Sequence, residues 1–168
     1  MNANKIPRIY VETSVWNFEF AEDAPEKQAI TRQFFVEARK GAFELYASDV
    51  VLQELRAASE PRRSQLLRFL DTVGPSLLDV SPAAIELGQE YVRVGAVPER
   101  YANDGLHVAV ATVEEMDIIL SWNMKHIVKS ATRRKVHGIN LLAGYHAIEI
   151  STPEMEISAD AEDTNDER

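Results

Sequence analysis

Cysteine is missing from this 168-residue chain. Its absence excludes disulfides, thiolate metal sites and cysteine nucleophiles, and it allows a reducing compartment. Long hydrophobic runs are missing too. No stretch approaches membrane-spanning length, and the Met1 to Arg8 segment has no apolar signal core, so a cytosolic protein with no membrane partner is expected. The glycine-rich patterns G-x-G-x-x-G and G-x-x-x-x-G-K do not occur, which disfavours a nucleotide-binding module. No internal repeat is visible.

What remains is ordinary globular material, 45% hydrophobic and 27% charged, enough for one domain with a real core. The net charge of −9 argues against a nucleic-acid partner, but its distribution argues otherwise. Residues 153–168 hold seven acids and one base, leaving only −3 for residues 1–152. Lys125, Lys129, Arg133, Arg134 and Lys135 fall close together with no acid among them. The domain is expected over residues 1–157. Residues 158–168, polar and free of aromatics, are expected to form a disordered acidic tail.

Strand-like runs alternate with helical ones. The β-branched and aromatic run from Arg8 to Glu12 follows Pro7 and predicts the first strand. Further strands are predicted over 43–46, 76–80, 117–121 and 145–150. Between them, Pro25 starts a helix that Gly41 ends, Ser48 caps one, and Pro61 opens one that stops at Gly74. Ser81-Pro82 opens another, and Ser130 is expected to cap a basic helix reaching about Ala143. Such alternation predicts an α/β fold: a single-domain parallel sheet of about five strands flanked by helices.

The central segment is Tyr101 to Thr112. Leu106, Val110 and Val113 recur at helical spacing, with Ala109 and Ala111 keeping the helix thin. Asn103 is the expected N-cap, which sets Asp104 in the first turn, where a carboxylate suits the helix dipole. In parallel sheets the ligand site lies beyond the carboxyl ends of the strands. That rule gathers Glu12, Thr13 and Ser14 after strand one, Glu54 after strand two, Asp104, and Ser121 and Asn123 after strand four. Three carboxylates brought together without Lys or Arg raise one another's pKa values. A divalent cation relieves the repulsion, and oxygen-only ligands suit Mg2+ or Mn2+ rather than zinc.

Four short motifs in this order resemble the PIN-domain family: Val11-Glu12-Thr13-Ser14, Glu54 on the helix after strand two, Asp104-Gly105-Leu106-His107-Val108-Ala109, and Ser121-Trp122-Asn123 followed by Lys125-His126-Ile127. The resemblance spans roughly residues 7–155. It is nearest to a branch with Glu at the first acidic position and an S-W-N-x-K-H-I motif. It implies a PIN-like fold, often dimeric, and a metal-dependent endoribonuclease, often the toxin of a VapC-like type II toxin–antitoxin pair. Carried over by residue, Glu12, Glu54, Asp104 and Asn123 form the catalytic and metal-binding set. Thr13, Ser14 and Ser121 would hydrogen-bond ligands or phosphate. RNA, an antitoxin protein and a second copy of the chain are the implied partners.

Two residues depart from the family pattern. Glu12 is one methylene longer than Asp, and Asn123 is neutral where an acid is usual, so metal affinity should fall. The competing reading is a catalytically weak or inactive PIN-fold module that binds RNA or protein. A phosphatase needs an aspartyl nucleophile in a D-x-D arrangement, which Glu12-Thr13-Ser14 does not supply.

Other residues have bland and sharp readings. Lys125, Lys129, Arg133 and Arg134 would contact RNA phosphates, or simply solvate a helix face. His107 and His126 are expected as core or rim histidines, with a contact to the site as the alternative. Trp16 and Trp122 are expected in packing, with base stacking as the alternative. Phe18, Phe20, Phe34 and Phe35 imply a large core or, failing that, a docking groove.

Overall fold

The run after Pro7 becomes β1 (Arg8–Val11), the middle strand of one five-stranded sheet. The structure is a computed structural model and describes residues 5–158. β2 (Glu44–Ser48), β3 (Ser76–Leu78), β4 (Ile118–Leu120) and β5 (Glu149–Ser151) complete the sheet in the order β3-β2-β1-β4-β5, with every neighbouring pair parallel. Ile9, Tyr10 and Val11 point alternately to the two faces, and all three are fully buried, so both faces of β1 are covered.

The helices form where the sequence signals them. α1 (Thr13–Phe18) follows β1 directly, with Glu12 as its N-cap. α2 (Pro25–Arg39) starts at Pro25, and α3 (Asp49–Arg56) starts after Ser48. α4 (Arg62–Val73) ends at Gly74, whose φ of 64° is the left-handed geometry that glycine adopts without a Cβ clash. α5 (Pro82–Arg93) is capped by the Ser81 hydroxyl, which accepts from the Ala84 N–H at 3.2 Å. α6 (Ala102–Val113) is followed by β4, a π-helical turn over Met124–Val128, α7 (Ser130–Leu142), β5 and the short α8 (Pro153–Glu156).

Several boundaries differ from the sequence reading. A 3-10 turn over Glu99–Tyr101 runs into α6, so Tyr101 is the N-cap and Asn103 lies inside the helix. From Gly105 to Thr112 all but Leu106 are buried. α6 is therefore enclosed nearly all round rather than carrying one apolar stripe. β5 begins at Glu149, not Tyr145, because the Tyr145 N–H turns back to the Asn140 carbonyl at 2.9 Å. β3 stops at Leu78.

α6 packs against α5. A Cβ on Gly88 would stand 3.4 Å from the Leu106 Cα, so the bare backbone of α5 sets how near α6 comes. The phenylalanines resolve as core. Trp16–Phe35, Phe35–Phe69, Phe20–Phe69 and Phe34–Phe43 pack with ring centroids 4.9–5.7 Å apart. Ser158, expected to open a free tail, donates its backbone N–H to the Glu37 carboxylate at 3.2 Å. The rest of the expected tail lies outside the described residues.

Candidate active site

In this strand order the chain leaves β1 in one direction towards β2 and in the other towards β4, and the crevice between β1 and β4 opens at their carboxyl ends. Glu12 sits there. Its N–H continues the ladder to the Leu120 carbonyl at 3.0 Å. Its side chain is 4% exposed and held by one oxygen. Oε2 accepts from Ser14 N–H at 3.2 Å, Ser14 Oγ at 2.5 Å and Ser121 Oγ at 2.7 Å. Among the described residues Oε1 accepts no hydrogen bond. The two serines, expected on substrate, are instead spent on Glu12. They also fix the far side of the crevice, since Ser14 Oγ accepts from Trp122 N–H at 2.8 Å and Ser121 Oγ from Asn123 N–H at 2.9 Å.

Glu54, on α3, is held from the opposite side. Its Oε1 accepts from Thr13 Oγ1 at 3.0 Å and is hydrogen-bonded to His107 Nε2. His107 is fully buried, and its Nδ1 meets the Tyr10 hydroxyl at 2.6 Å. Tyr10 in turn meets Ser48 Oγ at 2.7 Å. The chain Ser48–Tyr10–His107–Glu54 is satisfied in either charge state. With a neutral imidazole Nδ1 accepts from Tyr10, and with an imidazolium it donates and the hydroxyls rotate. Burial opposes the charged imidazole, but the bond to Glu54 and the charges of Glu12, Glu54 and Asp104 outweigh it, so the His107 pKa rises above its ordinary 6.5. Burial also works to raise Glu54, and the bonds from His107 and Thr13 overcome it, leaving Glu54 below its ordinary 4.5. The Tyr10 hydroxyl is pushed well up by burial. His107 is a buried core histidine, and it also makes the contact to the site that was the alternative reading. Tyr10 and Ser48 gave no sequence signal, because a strand tyrosine and a helix-capping serine have ordinary roles.

Asp104 lies half-buried in the first turn of α6. Burial first, then the nearby Glu12 charge, raises its pKa above the usual carboxylate value, while Asn123, His107 and His126 act the other way. The Asn123 carbonyl is identified by the backbone N–H of His126, which it accepts at 3.0 Å. That oxygen is therefore already in use.

Among the described residues no three Asp, Glu or His side chains converge tightly enough to enclose a metal ion by themselves. The set reduces to Glu12 and Asp104, two carboxylates that repel and have no Lys or Arg ion partner among the described residues. One or two carboxylates, with water and phosphate completing the shell, is the usual magnesium arrangement, so this donor set fits a hard divalent ion. Glu54 is tied to His107, and Asn123 is a neutral neighbour.

The basic group divides. Lys125 and Lys129 are exposed on and just after the π-helical turn that Asn123 caps. Arg133 and Arg134 line a separate depression with Ser130, His137, Glu149 and Ile150, which none of the site acids reaches. Trp16 is fully buried, with its N–H on the Val11 carbonyl at 3.0 Å. Trp122 is 7% exposed, with its N–H on Thr31 Oγ1 at 2.9 Å. Both tryptophans pack, and neither offers a face for a base. No described helix is long and apolar enough to cross a membrane.

No protein-family model matches the chain, and no curated protein matches its sequence. Its fold does match solved structures. A chain from the crystal structure of VapBC2 from Rickettsia felis, bound to a DNA fragment from their promoter, is similar at 15% identity. That match covers 86% of this chain and 98% of that one, with a TM-score of 0.54. A chain of DNA-bound VapBC from Salmonella typhimurium is similar at 11% identity over 88% and 98%, with a TM-score of 0.50. At such identities the likeness is one of fold, and the five-stranded parallel sheet is the expected PIN-like arrangement.

Proposed function

We propose that this chain is a metal-dependent endoribonuclease of the PIN type, in the branch with Glu at the first acidic position, and the toxin of a toxin–antitoxin pair. The observation that carries the reading is the Glu12–Asp104 pair, two repelling carboxylates at the carboxyl ends of β1 and β4. The fold shared with VapBC chains supports the toxin assignment and an antitoxin partner. A homodimer is part of the same proposal.

Hydrolysis of a phosphodiester needs an activated water and neutralised phosphoryl oxygens, and a Mg2+ or Mn2+ ion bound here supplies both. Glu12, through Oε1, and Asp104 would hold it. Ser14 and Ser121 fix the Glu12 carboxylate in place. Thr13 and His107 fix Glu54 by Oε1, which leaves Oε2 to take the proton of the attacking water. The Glu54 side chain is 34% exposed, so water and substrate can reach it. Lys125 and Lys129 would meet RNA phosphates beside the site.

The test is cleavage of mixed single-stranded and structured RNAs with magnesium, manganese or chelator, comparing the native chain with Asp104→Ala. Expected is cleavage that requires metal and vanishes in Asp104→Ala. Direct Mn2+ binding, read by electron paramagnetic resonance, should weaken in Glu12→Gln. A folded native chain that neither binds Mn2+ nor cuts any RNA would leave the second reading, a PIN-fold binding module. The neutral Asn123 side chain favours that reading, as does the absence, among the described residues, of a third ligand converging with Glu12 and Asp104.

A further inference from the structure

With the tryptophans assigned to packing, two other aromatic rings stand at the rim of the crevice. Tyr101 is three residues before Asp104, and His126 is three residues after Asn123. Their rings stack with centroids 4.0 Å apart and planes 23° apart. Both residues are partly exposed, unlike the fully buried Tyr10 and Trp16. The exposed Arg100 places its guanidinium over the Tyr101 ring, 5.1 Å from the centroid. Exposed Lys125 precedes His126 on the same turn. The stack adjoins the site, since Asn123 Oδ1 accepts from the His126 backbone N–H at 3.0 Å and Tyr101 is the N-cap of the helix that carries Asp104.

A ring pair formed only for packing would be closed over. This one is partly exposed, and an exposed planar cation lies over the Tyr101 ring. An unpaired base stacks on an aromatic ring or on a guanidinium plane, whereas the faces of a base inside a duplex are covered by its neighbours. Arg100 and Lys125 add positive charge beside the column, where a backbone phosphate would lie.

We propose that Arg100, Tyr101, His126 and Lys125 form a binding surface for single-stranded RNA, with one unpaired base extending the Arg100–Tyr101–His126 column beside Glu12 and Asp104. The proposal rests on the ribonuclease reading for its chemistry, and it assigns the seating of one base beside the site to these four residues.

The test is fluorescence anisotropy of short labelled RNAs on the full chain in chelator, so that nothing is cut. The probes are a single-stranded oligoadenylate, an oligouridylate and an RNA duplex. Expected is preference for single strands, with oligoadenylate bound more tightly than oligouridylate. Arg100→Ala and Tyr101→Leu should each weaken single-strand binding about ten-fold, within the range for loss of one stacked base. Tyr101→Phe, which keeps the ring, should bind as the native chain does. Arg100 is exposed, so its substitution tests the proposal even where Tyr101→Leu fails to fold. Native-like single-strand binding by folded Arg100→Ala, or equal binding of duplex and single strand, would overturn it. Metal-dependent cleavage is scored separately. Intact single-strand binding without any cleavage defeats the nuclease reading alone, and intact cleavage with unaffected variants defeats this surface alone.

Discussion

Tyr10→Phe isolates one oxygen whose loss the structure allows to be costed. Tyr10 is fully buried, and its hydroxyl joins Ser48 Oγ at 2.7 Å to His107 Nδ1 at 2.6 Å. Removing it leaves two buried polar atoms unpaired. Each such orphan costs about 1–3 kcal/mol, so the substitution should cost roughly 3 kcal/mol with partial relaxation. Ser48→Ala alone leaves Tyr10 bonded to His107 and should cost about 1 kcal/mol. The double variant has one orphan fewer than Tyr10→Phe, so it should be more stable than that single variant by about 1 kcal/mol rather than less stable. Urea denaturation followed by circular dichroism, in chelator, measures all three, and the midpoint should move while the slope stays fixed. A Tyr10→Phe chain within about 0.5 kcal/mol of native would refute the reasoning. So would a double variant in which the two losses simply add.

Three further outcomes follow from the same site and its neighbours. His107 is raised above 6.5, so its contribution to stability is complete below that pH and fades as pH climbs through the folded value; Glu54 is lowered below 4.5, so its contribution is complete above that pH and fades as pH falls through the folded value. Their joint contribution should be flat between those two pH values, and Glu54→Gln should flatten the alkaline decline in urea midpoint; an unchanged pH profile in that variant would rule the pair out as its source. Asn123→Asp should tighten Mn2+ binding by adding a charge beside Asp104, while lowering the melting temperature without metal, and weaker Mn2+ binding would show that Asn123 does not face the ion. A Cβ would meet nothing closer than 3.5 Å on Gly105 or 3.4 Å on Gly88, so each alanine fits and should gain up to about 1 kcal/mol of helix propensity; a lowered melting temperature in either variant would contradict that packing.

The strand and helix alternation was readable because Pro25, Gly74 and Ser81 punctuate the chain where the structure starts and stops its helices. The boundaries that moved were decided by tertiary bonds. Tyr145 turned back to Asn140, and the 3-10 turn displaced Asn103 from the cap. The rule that sites lie at strand ends grouped Glu12, Glu54 and Asp104, and the charges of all three act on His107. It could not say which partner each would take. Ser14 and Ser121 were read as substrate contacts, although both hydroxyls end on Glu12. The link from Ser48 through Tyr10 to His107 joins β2, β1 and α6, positions that no local pattern relates.

The bond from Ser121 to Glu12 spans 109 residues of sequence, and β1 reaches β4 only across the same distance. Protein synthesis runs from the amino terminus, so Glu12 leaves the ribosome long before the segment that orders it. Until β4 has emerged and paired, only Ser14 holds the Glu12 carboxylate and the crevice has one wall. A growing chain that stops short of β4 therefore lacks one wall of the proposed site. On the ribonuclease reading proposed above, this topology would keep a nascent chain from cutting the message that encodes it until β4 has paired.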